Sequence, residues 1–304
     1  MSETLQRIIS GFSLVIVFVF AFTYEGLLKI PFYLLVAGTA LVGQLEFYKI
    51  VKKNTDEKAF PVSGIILGQT LLLIVFLYSL KTQYLPGFLH YNASIRLGLD
   101  SLSIGFPFIF FLFFLSIVYL LVRELTRSHL QGSFYSISVT LAGIIYVPVT
   151  FSHMFLLESL PNGTFYIWLV SWATFMTDAF AYFAGKLLGK HKIGFGISPN
   201  KTWEGYLGGL IGSAGTLPVF YYFADKSFNV PDIHITAIIL IGVILFAMAT
   251  LGDLSESLLK RNAGVKDSGK IIPGHGGILD LLDALMFTIP AGYYVILFIQ
   301  YISP

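Results

Sequence analysis

Cysteine is absent from all 304 residues, which excludes disulfides, thiolate nucleophiles and cysteine metal sites. Charge is scarce too: Asp, Glu, Lys and Arg make up 12% of the chain, against 56% hydrophobic residues. With a mean hydropathy of +0.78, the chain is too apolar for a soluble domain and reads as a polytopic membrane protein. The formal net charge of +2 is too small for bulk nucleic-acid binding, so the placement of the cations matters more than their number. No small-residue cleavage site follows the first apolar run, and Met1-Ser2-Glu3 lacks the glycine that myristoylation needs. That run is therefore expected to be a retained helix. No internal repeat, low-complexity tract or soluble domain is visible.

What the chain has in quantity is apolar runs of the length that crosses a bilayer, roughly 20 residues. Nine are predicted, at residues 7–24, 28–48, 60–80, 102–122, 134–157, 165–185, 206–224, 235–259 and 280–302. With the N-terminus in the cytosol, 15 of the 19 Lys and Arg fall inside and only Lys29, Lys81, Arg96 and Lys226 outside, as the positive-inside rule asks. The expectation is an all-α integral membrane protein of about nine transmembrane helices. Its N-terminus is cytosolic, its C-terminus lies on the outer side, and a polar cavity opens to the cytosol. Residues 1–160, about five helices with few intramembrane charges, read as scaffold. Residues 161–304, about four helices with cytosolic loops 186–205 and 260–279, read as the catalytic region. Glu46, near the inner end of the second run, is expected to pair with a nearby lysine.

The polar residues concentrate late in the chain. Asp178 sits roughly 12 Å short of Lys186 along a helix, where a carboxylate needs water, a partner or a metal. The loop after it contains Ser198-Pro199-Asn200-Lys201-Thr202-Trp203-Glu204-Gly205, a turn able to present Lys201 and backbone N–H groups to an anion. Asp253, Glu256, Ser257 and Lys260 recur at i, i+3, i+4 and i+7, on one helix face. Gly274-His275-Gly276-Gly277 lets backbone approach a ligand, as phosphate-cradling turns do. Asp280 and Asp283 share a face of the first turn of the last helix, where the dipole tolerates negative charge. Facing Asp253 they would form an oxygen cage suited to Mg²⁺. The plainer alternatives are an assembly contact for Asp178, an ion pair between Asp253 and Lys260, and helix capping by Asp280 and Asp283.

These residues carry a resemblance. The stretch Ser257-x-Leu259-Lys260-Arg261-x4-Lys266-Asp267-x-Gly269-x2-Ile272-Pro273-x-His275-Gly276-Gly277-Ile278-x-Asp280-x2-Asp283 is similar to the C-terminal motif of the CTP-dependent phosphatidate cytidylyltransferases, or CDP-diacylglycerol synthases. Asp178-x3-Tyr182-x2-Gly185 and Ser198-Pro199-x-Lys201-Thr202-Trp203-Glu204-Gly205 also look like motifs of that family. The resemblance covers roughly residues 171–290. It departs at Leu281 and Asn200, where the family commonly carries cations.

The resemblance implies transfer of the cytidylyl group of CTP to phosphatidate, giving CDP-diacylglycerol and pyrophosphate. It implies Mg²⁺, with room for a second cation, held by Asp253, Asp280 and Asp283. Asp253, Lys260, Arg261, Lys266, Asp280 and Asp283 are the implied catalytic residues, and Asp178, Ser198, Lys201, Thr202, Lys270, His275, Gly276 and Gly277 the implied substrate contacts. The expected partners are CTP, phosphatidate, the lipid bilayer and a second copy of the chain. The expected location is a bacterial inner membrane, with the site facing the cytosol. The rival readings are a CTP-dependent lipid kinase acting on a polyprenol or phytol, and a cation-coupled transporter built on Asp178 and Asp253.

Overall fold

A backbone that crosses hydrocarbon must satisfy its own N–H and C=O groups, and in a computed structural model of the protein every predicted apolar run falls on a helix. The structure describes residues 3–24, 29–52, 59–83, 106–126, 132–194, 196–224, 230–272, 274 and 276–302. In chain order these carry α1 (Glu3–Thr23), α2 (Ile30–Lys52), α3 (Pro61–Gln83), α4 (Phe106–Leu125), α5 (Ser133–Glu158), α6 (Gly163–Leu188), α7 (Trp203–Ala224), α8 (Ile235–Asn262) and α9 (Ile278–Ile302). Two isolated bridges, Lys192 with Thr202 and Ile272 with Gly276, are the β-pairings seen among the described residues.

Seven of these helices, α2 to α5 and α7 to α9, are long and apolar enough to cross a membrane. α1 offers a shorter apolar stretch, Gly11–Thr23. The 26-residue α6 is not among the seven, because Ser171, Thr174, Thr177 and Asp178 dilute its hydropathy. Of nine expected spans, then, the two that fall short are α1 and the helix that carries the first buried-depth aspartate.

The chain divides into two compact units, Met1–Ser159 with Ala263–Asp280, and Leu160–Asn262 with Leu281–Pro304. This differs from a simple division near residue 160: the segment 263–280, expected in the catalytic region, groups with the first five helices.

In the first unit, α2, α3 and α5 pack on one another. The Tyr48 ring lies where a Cβ on Gly64 or Gly143 would sit, and its hydroxyl donates to the Thr140 carbonyl at 2.9 Å. Small residues are what let membrane helices approach this closely. Within α5, Ile145–Val149 winds as a π-turn around Pro148, a residue with no N–H to give to the ordinary ladder. Lys29 and Glu158 form a buried pair at 3.0 Å, their side chains 4% and 7% exposed. Removing one member of a buried pair strands the other's charge, whereas replacing both with apolar groups does not. Lys29→Met is therefore expected to cost about 3–5 kcal/mol, read as a lower Tm in detergent, and Lys29→Met with Glu158→Leu to recover most of the loss.

In the second unit, α7 presents Gly205, Gly208, Gly209 and Gly212 to α6. A Cβ at these positions would run into Ala181 O, Phe180 O, Thr177 O and Met176 O respectively. Gly242 of α8 meets the Ala214 backbone of α7, and Gly252 of α8 meets Asp283 O and Ala284 Cα of α9. The Thr174 hydroxyl donates to Thr288 at 2.8 Å, joining α6 to α9. These close approaches bring the polar residues of four helices within reach of one another.

Candidate functional site

The loop between α6 and α7 folds back on itself. Ile193 N donates to Lys201 O at 3.0 Å and Trp203 N to His191 O at 3.0 Å. Glu204 Oε1 lies 2.5 Å from His191 Nδ1. Thr202 is the N-cap of α7, its Oγ1 accepting from Gly205 N at 3.2 Å, the bond that hydroxyl residues supply at helix starts. Lys201 N closes a turn onto Ser198 O, and the Arg261 Nε, from the end of α8, donates to Ile197 O at 3.4 Å. The loop is thus pinned at both ends and along its side, with Lys201 delivered at a fixed place.

That place is Asp253. The Lys201 ammonium donates to Asp253 Oδ2, and the Ser257 hydroxyl approaches Oδ1 at 3.4 Å. The pair is 20% and 38% exposed, so it is open enough to exchange partners. Asp178 lies within electrostatic reach of Asp253 and Lys201, and Asp283 within reach of Asp253, Asp178 and Lys260. Asp178, Lys186, Asn200, Lys201 and Asp253 line a cavity of about 400 Å³ whose apolar wall includes Ala181, Phe246 and Ala249. Two carboxylates and two lysines on the wall of a largely apolar pocket, with Asp283 in electrostatic reach of both carboxylates, can receive a cation together with an anionic headgroup bearing an apolar tail.

Among the described residues, no group of three or more His, Asp or Glu side chains is placed to hold a metal ion by itself. Magnesium needs only one or two carboxylates when substrate phosphates complete its shell. Asp253 and Asp283 have that chemistry.

Asp280 is placed differently from its two expected partners. Its Oδ2 accepts from Ser268 N at 2.7 Å, Ser268 Oγ at 2.8 Å and Gly277 N at 2.8 Å. It closes the first turn of α9 and clasps the loop before it, which is the capping alternative. Gly276 and Gly277, expected to offer N–H groups to phosphate, spend them internally. Gly276 N donates to Ile272 O at 3.1 Å and Gly277 N to Asp280, because the turn closes only if those donors are used. Glu46 corrects a further expectation. Among the described residues its partners are not lysines but Ser268 Oγ at 3.1 Å, Ile278 N at 3.2 Å and Leu279 N at 3.0 Å. The unpaired donors of a helix start, and its partial positive charge, attract a carboxylate.

The remaining predicted residues divide by environment. Lys260 pairs with the fully buried Glu256 one turn away. Lys266 and Lys270 are exposed on the loop, Ser198 is half-buried in its turn, and His275 lies outside the described residues. Lys186 and Tyr182 of the cavity were missed as site residues, although their i, i+4 spacing on the Asp178 helix was legible. Glu46 and Ser268 were missed as well; the signal for Glu46 was a solitary acid in an apolar run.

Comparison with known proteins gives one answer. A family model described as the cytidylyltransferase family matches residues 5–299. A phosphatidate cytidylyltransferase of Bacillus subtilis is 33% identical over 297 residues, covering 97% of this chain and 98% of that protein. Those of Staphylococcus haemolyticus and Staphylococcus saprophyticus are 41% and 43% identical over 172 residues, 57% of this chain. The match to these two spans 64% of their length. With the family match spanning nearly all its residues and a relative aligned over nearly its whole length, the chain belongs to the cytidylyltransferase family.

Proposed function

We propose that this protein is a membrane enzyme that joins CTP to phosphatidate, forming CDP-diacylglycerol and releasing pyrophosphate. The observation that carries the reading is the Lys201–Asp253 pair on the wall of a cavity that is apolar on one side and shares its electrostatics with Asp178 and Asp283. A phosphomonoester headgroup with acyl chains fits such a wall, with Lys186 and Lys201 as phosphate donors. An oxygen of that phosphate attacks the α-phosphorus of CTP, the bond to the bridging oxygen breaks, and pyrophosphate departs with the electron pair. The nucleophile is already anionic, so no side chain has to be activated. The work of the protein is to bring two polyanions together and hold them in line.

Asp253 and Asp283 are the residues that would hold Mg²⁺, with Asp178 beside them. Held there, such an ion would supply charge neutralisation for the triphosphate and polarisation of the α-phosphorus. Lys260 and Arg261, on the last turn of α8, supply cations for the leaving pyrophosphate, and the sequence pattern adds Lys266 and Lys270 as phosphate contacts. The excess of Lys and Arg in these loops supports a cytosolic face for them, where CTP is available, with the N-terminus inside.

The test is direct. Purified protein with phosphatidate, Mg²⁺ and CTP labelled at the α-phosphate is expected to move label into lipid, and γ-label into pyrophosphate. Transfer of γ-label to lipid would identify a kinase and overturn the reading.

A further inference from the structure

Glu46 stands far in sequence from the residues it touches, yet it is 4% exposed and held by the loop before α9 and by the start of α9. Its carboxylate collects Ser268 Oγ, Ile278 N and Leu279 N. A Cβ on Gly269 would strike Glu46 Oε1, and a Cβ on Gly277 would strike both carboxylate oxygens as well as Ser268 Oγ. The two glycines form a cradle of the kind that admits an anion, and the anion inside it belongs to α2. Ser268 is the hinge of the arrangement. Its hydroxyl reaches Glu46 and Asp280, at 3.1 and 2.8 Å, and its backbone N–H bonds Asp280 at 2.7 Å.

The consequence falls on the segment that carries Lys266 and Lys270. Both are exposed, and neither has an ion pair among the described residues. What fixes the backbone beneath them is the clasp of Glu46, Ser268 and Asp280. We propose that Glu46 is a positioning residue for the nucleotide: it holds the segment 263–272 so that Lys266 and Lys270 are presented to a polyphosphate in one register. It touches no reacting atom. The inference rests on the function proposed above, because the lysines need a polyphosphate to bind.

The experiment compares full-length wild type with Glu46→Gln, Glu46→Ala and Ser268→Ala in lipid nanodiscs. Glutamine keeps the shape but sets an NH₂ group against backbone donors, so one or two of the three bonds are lost. The expected result is a rise of about tenfold in KM for CTP with Glu46→Gln, and a larger one with Glu46→Ala. KM for phosphatidate and kcat should stay within about threefold. Hydrogen–deuterium exchange should quicken across residues 263–280 and stay unchanged in α6 and α7. Ser268→Ala, which keeps the carboxylate and removes only the hydroxyl, should move both readouts the same way by less. Equal rises in both KM values, with exchange quickened throughout, would make Glu46 a merely structural residue and overturn the proposal. An unchanged KM for CTP would do the same. Wild type that forms no CDP-lipid would refute the enzyme reading instead, and the exchange arm would still show whether Glu46 orders the loop.

Discussion

Asp253→Asn is expected to lower CDP-diacylglycerol formation by about 10³-fold or more, leaving the protein inserted and folded. The side chain lies on a cavity wall and is 38% exposed, so an isosteric amide removes no packing. What it removes is charge. Asp253 Oδ2 is the acceptor for Lys201, and Asp253 is the carboxylate common to the electrostatic neighbourhoods of Asp178 and Asp283. Without it Lys201 loses the partner that fixes its ammonium, and the divalent cation proposed for this site would lose a ligand charge. Deleting a group that stabilises developing charge in a phosphoryl-type transition state commonly costs several kcal/mol, and each 1.36 kcal/mol is tenfold in rate. The measurement is label transfer from α-labelled CTP by protein matched for amount and Tm. Turnover within tenfold of wild type would remove Asp253 from the site. Asp253→Glu offers a finer comparison, since it keeps the charge and displaces it by one methylene.

The helices and the first half of this candidate site were open to reading because each rests on a local rule. A membrane helix announces itself by about 20 apolar residues, and each of the nine predicted runs falls on a helix, seven of them long and apolar enough to cross a membrane. Asp178 and Asp253 stood out because a carboxylate at that depth is costly without a purpose. The i, i+4 relation of Asp253 to Ser257 was a matter of helical period, and the structure places those two side chains together.

What could not be read depends on contacts between distant residues. Asp280 and Asp283 are three residues apart on one helix, and the period alone treats them alike. Their separation, Asp280 into a loop clasp and Asp283 into the neighbourhood of Asp253, follows from Ser268 and from Glu46, 222 residues before Ser268. No spacing rule links those positions. The same applies to Gly276 and Gly277: glycines in a turn beside cations signal an anion site, and nothing local says that a carboxylate of the same chain fills it. The π-turn of α5 was hidden for a related reason. Pro148 marks a missing donor, but whether the helix kinks, breaks or slips by one residue is decided by neighbours such as Gly68, whose Cβ would meet both Pro148 and Gln44.

Gly252→Val is expected to lower turnover by about 10²-fold, with Asp253 and Asp283 themselves untouched. A Cβ on Gly252 would sit 2.5 Å from Asp283 O and 3.0 Å from Ala284 Cα. Both are backbone atoms, so no rotamer change relieves the clash, and α8 must draw back from α9. Ordinary contact begins near 3.4 Å, so the retreat for a first methyl is on the order of 1 Å, and a displacement of that size at a reacting centre costs about 10²-fold. Valine, with two further methyls, adds overpacking of about 1–3 kcal/mol and a lower Tm. Gly38 of α2 provides the control, since a Cβ there meets nothing within 4 Å; Gly38→Val should leave turnover unchanged. If Gly252→Val transfers label at the wild-type rate, the close approach of α8 and α9 does not set the spacing of Asp253 and Asp283. If it lowers Tm alone, Gly252 serves only packing. A fall in kcat that exceeds the fall in the folded fraction would show that the glycine next to Asp253 is there to keep two carboxylates at working distance.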